Sequence, residues 1–254
     1  MPSDELYMQW KREEDIAHIE GWDFSHIEGR YTEDTDLPWD FSQVIGRYLD
    51  DSMMLLDMET GGGEFLLSLQ HPSERTAAIE GYEPNVEYCR KVLLPLGIDF
   101  RQADGIDNLP FGNNVFDVVT NRHGDYSVSE IKRVLKSGGY FITQQVGAEN
   151  DRELIELLLP GTKELPFPQQ YLGMRETELR DNGFEIVEST EAFSPIRFYD
   201  VGALVWFAKI IEWEFAGFSV DRCLDGLRKA QEMIARDGFV AGRTHRYYMV
   251  EQKK

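Results

Sequence analysis

In the run Met53-Met54-Leu55-Leu56-Asp57-Met58-Glu59-Thr60-Gly61-Gly62-Gly63-Glu64-Phe65-Leu66-Leu67, an apolar stretch of strand length ends on an acid, a glycine-rich turn follows, and a helical pattern begins. Gly61, Gly62 and Gly63 let the backbone turn sharply and approach a ligand with no side chain between. The helix start beyond them offers free N–H groups to an anionic group. These residues read as a strand, glycine loop and helix that hold a cofactor at the carboxyl end of a strand. A tight strand–helix turn without a ligand is the plainer reading of the same glycines.

A second acid, Glu80, ends the strand-like run Arg75 to Gly81. It lies about twenty residues beyond the glycine loop, a spacing at which a carboxylate accepts hydrogen bonds from both ribose hydroxyls of a nucleotide. A third acid, Asp104, followed by Gly105, closes the run that begins at Ile98. A nicotinamide fingerprint would read Gly-x-Gly-x-x-Gly, with no acid needed just before it. Asp57 and the packed glycines differ from that pattern.

With these features the chain resembles the class I S-adenosylmethionine-dependent methyltransferases, specifically a methyltransferase type 11-like domain. The family's first motif, acid-x-Gly-x-Gly-x-Gly, maps onto Asp57, Glu59, Gly61 and Gly63, with Glu59 standing where the family has glycine. Leu109-Pro110-Phe111 and Phe116-Asp117-Val118-Val119 match its "LPF, four residues, FDVV" signature. Arg133-Val134-Leu135-Lys136-Ser137-Gly138-Gly139 matches its "RVLKPGG" hairpin, with Ser137 in place of proline. The resemblance is close over about residues 50–146. It implies an α/β, Rossmann-like methyltransferase fold: a mixed seven-stranded sheet with helices on both faces. It also implies S-adenosylmethionine as cofactor, contacted by Asp57, Glu59, Gly61, Gly62, Gly63, Glu80, Gly81, Asp104, Gly105 and Asn121. In the family, the acid at Asp104 bonds the adenine amino group, and Asn121 is expected at the methionine end.

Methyl transfer from a sulfonium is an in-line displacement in which the protein mainly supplies positioning. A base is needed only if the acceptor loses a proton during attack. In the resembling family the loop Thr120 to Tyr126 sits beside the methyl-bearing sulfur. His123 is the histidine placed there, titrates near neutral pH, and is the candidate base; a structural role is the alternative. Gln144, Gln145, Arg197 and Tyr199 are candidate acceptor contacts, with hydrogen bonding within loops as the alternative. No metal ligand set is expected. The Asn/Asp-Pro-Pro-Tyr motif of amino-group methylases is absent from the sequence.

These residues are positioned by alternating strands and helices, which imply a parallel sheet. Residues 1–50 are read as an N-terminal helical flap, with a helix from Asp4 to Ile19, aromatics Trp22, Phe24, Trp39 and Phe41 in polar loops, and Asp40 or Ser42 capping a short helix to Tyr48. Residues 51–195 form the cofactor-binding core, with helices at about 149–159 and 175–182 and a strand over 184–190. Residues 196–236 read as a helical lid insert with patterns at 201–214 and 220–236, and residues 237–254 as the final strand of the core sheet. Flap and insert are expected to close over the cofactor; sealing the core edge is the alternative use of their aromatics.

The chain has 254 residues, a formal net charge of −20 and a pI near 4.6. Such acidity repels a phosphate backbone and an anionic membrane, and no basic stripe offsets it, so a nucleic-acid or membrane partner is not expected. Cys89 and Cys223 make neither a disulfide framework nor a metal cluster. The N-terminus has no signal-peptide pattern and the stretch Val201 to Ile211 is too short to span a bilayer, so a cytoplasmic location is the expectation. The expected function is S-adenosylmethionine-dependent methylation of a small molecule. A cofactor-binding regulatory or interaction protein, an RNA methyltransferase and a nicotinamide-dependent reductase are the alternatives. The oligomeric state stays open.

Overall fold

In a computed structural model of the chain, the described residues are 4–18, 23–103, 105–162 and 165–254. Asp104 and Trp22 therefore lie outside the described residues. The elements run α1 (Asp4–Ile16), β1 (Tyr31–Glu33), α2 (Phe41–Gly46), β2 (Leu55–Met58), α3 (Glu64–Ser68), β3 (Thr76–Glu80), α4 (Glu83–Val92), β4 (Asp99–Gln102), β5 (Phe116–Arg122), α5 (Val128–Val134), β6 (Leu135–Val146), α6 (Arg152–Leu158), α7 (Leu172–Asp181), β7 (Phe184–Phe198), α8 (Val201–Ile210), α9 (Leu224–Asp237) and β8 (Val240–Lys253). They group into two compact units, residues 37–146, 170–192 and 246–254 in the larger and residues 1–36, 147–169 and 193–245 in the smaller. The bounds of these units differ from the four segments read along the sequence.

In the larger unit the strand order is β7-β8-β6-β5-β2-β3-β4. β2, β3, β4, β5 and β6 run parallel, and β8 is antiparallel to β6. The alternation of a strand sends neighbouring side chains to opposite faces. Leu56 and Met58 join one apolar cluster with Val119, Phe141, Ile131 of α5 and Leu179 of α7. Leu55 joins the other with Val118, Ile142, and Val86 and Cys89 of α4. Every residue of β2 and β3 is buried, as expected of strands covered on both faces. α2 starts where Asp40 accepts from the backbone N–H groups of Ser42 and Gln43, the capping pattern legible in the sequence.

The smaller unit packs α1 on α8 and α6 on α9. A Cβ on Gly226 of α9 would lie 2.4 Å from the Leu157 carbonyl oxygen, so glycine there permits the close approach. Trp10, Phe198, Trp206 and Phe215 are buried in one cluster, and Phe24 packs edge-on against Trp206 at 5.8 Å. β1 pairs antiparallel with the Ile196–Phe198 end of β7 and is an eighth strand, one more than the resemblance implies. It is missed because Tyr-Thr-Glu is too short to show a period. β7 is also longer than the run 184–190 read from the sequence, and β8 fills most of the segment 237–254 assigned to the final strand. Among the described residues no helix is long and apolar enough to cross a membrane.

Candidate cofactor site

Asp57, the last residue but one of β2, has its side chain buried, opposite Thr120 of β5. The Thr120 hydroxyl donates to Asp57 Oδ1 at 2.7 Å. Burial raises the pKa of Asp57, and the hydrogen bonds and Arg122 oppose the rise without cancelling it. Past Met58 the chain enters left-handed conformations at Glu59 (φ 54), Gly61 (φ 62) and Gly63 (φ 85). Gly63 caps α3, and a Cβ on it would lie 2.9 Å from Leu93 Cδ2. Backbone angle and helix packing thus both require glycine there.

Glu80 holds this loop. Its Oε2 accepts from the Gly61 N–H at 2.8 Å and the Asn85 amide at 3.3 Å. Its Oε1 accepts from the Gly81 and Tyr82 N–H groups, both at 2.9 Å. A carboxylate has about four acceptor positions, and donors of the two loops occupy them. The side chain is 3% exposed. Glu80 therefore ties the turn after β2 to the turn after β3, a role that the sequence spacing did not reveal.

A Cβ on Gly81 would sit 2.9 Å from the Ala103 carbonyl oxygen, so the ends of β3 and β4 close on each other there. Beyond β4 a cleft of about 330 Å³ opens, lined by Ala103, Gly105, Ile106, Asn108 and Pro110 among others.

The end of β5 is braced from both sides. Asn121 is fully buried; its amide donates to the Met58 carbonyl at 3.4 Å, and its oxygen accepts from Gln145 at 2.5 Å. The Gln145 amide also donates to the Gly124 carbonyl at 3.0 Å, so Gln145 braces the loop from within rather than lining its surface. His123 takes a left-handed conformation (φ 59), and its Nε2 lies 3.3 Å from the Gln144 amide. Trp39 fixes Gln144 in turn, donating from Nε1 to Oε1 at 2.8 Å while its ring packs edge-on against Tyr248. This Trp39–Gln144–His123 chain is invisible in sequence, because its members come from three separate segments.

His123 is exposed on its loop, but protein atoms crowd the ring on its other side, and Arg246 and Arg122 repel a second positive charge. Its pKa is pushed down to about 3. The imidazole is neutral at physiological pH, but its basicity lies far from that pH, whereas an effective general base is matched to it. Glu59 shows the opposite displacement: burial, then Glu80 and Asp125, raise its pKa to about 7. Its stem lies over Gly124, where a Cβ would approach Glu59 Cβ and Cγ to 2.6 Å. The room that a side chain needs at this position of the motif comes from that glycine. Arg122 stacks over the Phe65 ring at 4.4 Å.

Arg197 and Tyr199 belong to the smaller unit. Arg197 lies over the Phe239 ring at 5.5 Å, and the exposed Tyr199 hydroxyl meets Thr32 Oγ1 at 2.9 Å. Each thus has a partner within its own unit.

Residues 56–143 match the family model described as a methyltransferase domain. Over 88 residues the chain is 33% identical to the phthiotriol/phenolphthiotriol dimycocerosates methyltransferase of Mycobacterium tuberculosis, covering 32% of each chain. The chain thus spans about a third of the length of the curated relatives it matches. Among solved structures it is similar to a putative methyltransferase from Bacillus halodurans (TM-score 0.57, 18% identity, 84% of this chain and 98% of that one). It is also similar to the YcgJ protein of Bacillus subtilis (TM-score 0.55, 18% identity, 84% and 97%). At these identities the likeness speaks for the fold.

Proposed function

We propose that this chain, a class I S-adenosylmethionine-dependent methyltransferase by the family of its residues 56–143, transfers the cofactor's methyl group to a small-molecule acceptor. The observation that carries the reading is the glycine loop after β2, bound through Gly61 to the buried Glu80. The residues fit the cofactor: a cleft of about 330 Å³ beside Ala103 and Gly105 suits a purine, and the acids Asp57, Glu59 and Glu80 suit a ligand with net positive charge. Bound there, S-adenosylmethionine supplies a methyl group already activated by the sulfonium.

The protein's share of the work is positioning. Glu80 holds the loop in shape, Asp57 ties β2 to Thr120 of β5, Asp104 and Gly105 are assigned to the adenine side, and Asn121 with Gln145 fixes the loop that carries His123. A ribose hydroxyl reaches Glu80 by displacing the Asn85 amide, at 3.3 Å the longest of its four contacts. With its low basicity, His123 serves as a neutral hydrogen-bonding group, oriented by Gln144. Arg197 and Tyr199 are kept as candidate acceptor contacts. The net charge of −20 favours an acceptor without a phosphate backbone.

Calorimetry and thermal melting test the cofactor. S-adenosylmethionine and S-adenosylhomocysteine should stabilise the fold by ~2.7 kcal/mol at a hundredfold excess over Kd, and NAD should not. A melting shift with NAD alone overturns the reading. Transfer of a labelled methyl group to a pool of small molecules, and not to RNA, tests the acceptor class.

A further inference from the structure

Glu59 has three unfavourable features and gains no polar contact with a described residue in return. Its backbone sits at φ 54, a left-handed conformation that residues with a Cβ adopt at a cost. Its carboxyl is half-buried, yet makes no hydrogen bond or ion pair with a described residue. The charges that face it are both acids, Glu80 at the end of β3 and Asp125 in the loop after β5. Glycine at this position would remove all three costs. Instead the protein keeps Glu59 and places Gly124 beside it to make room. A strained, desolvated and repelled side chain persists where function uses it.

Among the described residues, no positive charge offsets these two acids at Glu59. S-adenosylmethionine brings one net positive charge, fixed on sulfur; S-adenosylhomocysteine, the product, brings none. We propose that Glu59 is a charge-selecting residue, which makes the site prefer the cationic sulfonium over the neutral thioether that methyl transfer leaves behind.

This inference rests on the cofactor reading above. Arrival of the cation favours the carboxylate, so a protonated Glu59 releases its proton to solvent. Once the methyl group has left, the sulfur is neutral, the acids are again uncompensated, and Glu59 takes a proton back. The raised pKa of about 7 puts this exchange within the physiological range. Coupling of this kind is reciprocal: the proton weakens sulfonium binding as much as the sulfonium weakens proton binding.

Calorimetric titration of the full chain with each ligand, in buffers of different ionisation enthalpy, tests the proposal. The wild type should release a proton fraction near pH 7 with S-adenosylmethionine and none with S-adenosylhomocysteine. Its preference for the sulfonium should rise between about pH 6 and 8, roughly one unit either side of the Glu59 midpoint. Glu59→Gln, and independently Glu59→Gly, should weaken S-adenosylmethionine about tenfold, leave S-adenosylhomocysteine unchanged, and abolish the proton release. Equal binding of both ligands by wild type and variants, without proton release, overturns the charge-selecting role alone. Failure of both ligands to bind the wild type overturns the cofactor reading and this inference with it.

Discussion

Glu59 and Gly124 occupy adjoining space in two loops: a Cβ on Gly124 would lie 2.6 Å from both Cβ and Cγ of Glu59. One loop follows β2 and the other follows β5, and the two strands pair in parallel with Met58 opposite Asn121. The sheet register therefore brings the departure from the family's glycine pattern against the residue that tolerates it. The pair must be treated as a unit.

Gly124→Ala should destabilise the protein by about 1–3 kcal/mol, the usual range for overpacking. Adding Glu59→Gly should recover most of that loss, since the clash with Glu59 disappears, only the 3.1 Å approach to Asn121 Nδ2 remains, and position 59 regains a residue suited to its backbone angle. Urea unfolding of both single variants and the double variant measures the coupling. Additive effects would show that the two residues do not share this space.

Ionisation of Glu59 also sets a sign for stability against pH. Its folded pKa of about 7 stands above the ordinary 4.5, so its contribution is fully present below 4.5 and is lost as pH rises to about 7. Glu59→Gln should remove this part of the pH dependence. Compared at pH 5 and pH 7.5, the urea midpoint of the variant should fall less than that of the wild type. An equal fall in both would mean that Glu59 titrates as an ordinary solvated acid.

Glu80→Ala should damage both binding and fold. Three backbone N–H groups and the Asn85 amide lose their acceptor, with a stability loss of at least ~2 kcal/mol by the cost of unmade buried hydrogen bonds. Cofactor affinity should fall at least about tenfold, as expected on losing a charge-assisted contact. Full stability with lost affinity would point to a purely ligand-facing role, against the four-donor arrangement.

Much of this was legible because the chemistry lies at strand ends. Asp57 and Glu80 each close a short apolar run, so β2, β3 and their turns are local patterns, and Asp40 announces α2. β1 was not legible, since three residues carry no period. The full β7 was not, because Pro195 lacks an N–H and interrupts a strand pattern, while here its carbonyl still accepts from Asp34 at 3.0 Å. The double duty of Glu80, the brace from Gln145 to Gly124 and the suppression of His123 basicity all depend on contacts between loops distant in sequence. Charge and spacing alone carry no trace of them.

Glu251 offers a test of the core beneath the site. It lies on β8 opposite Phe141, is 0% exposed, and among the described residues both its carboxyl oxygens are without a hydrogen-bond partner. Burial raises its pKa well above the ordinary value; Arg175 opposes this, but that guanidinium already serves Tyr126 and Glu178. The group is protonated over a wide range, and a raised folded pKa means that its contribution is present at low pH and lost as pH rises above the ordinary carboxylate range. Glu251→Gln keeps the shape, holds no charge, and should make the fold more stable than the wild type at pH 8 while leaving it nearly unchanged at pH 4.5. Denaturant midpoints at the two values measure this. A variant that loses stability equally at both would show that the carboxyl has a specific partner that its neutral analogue fails to satisfy.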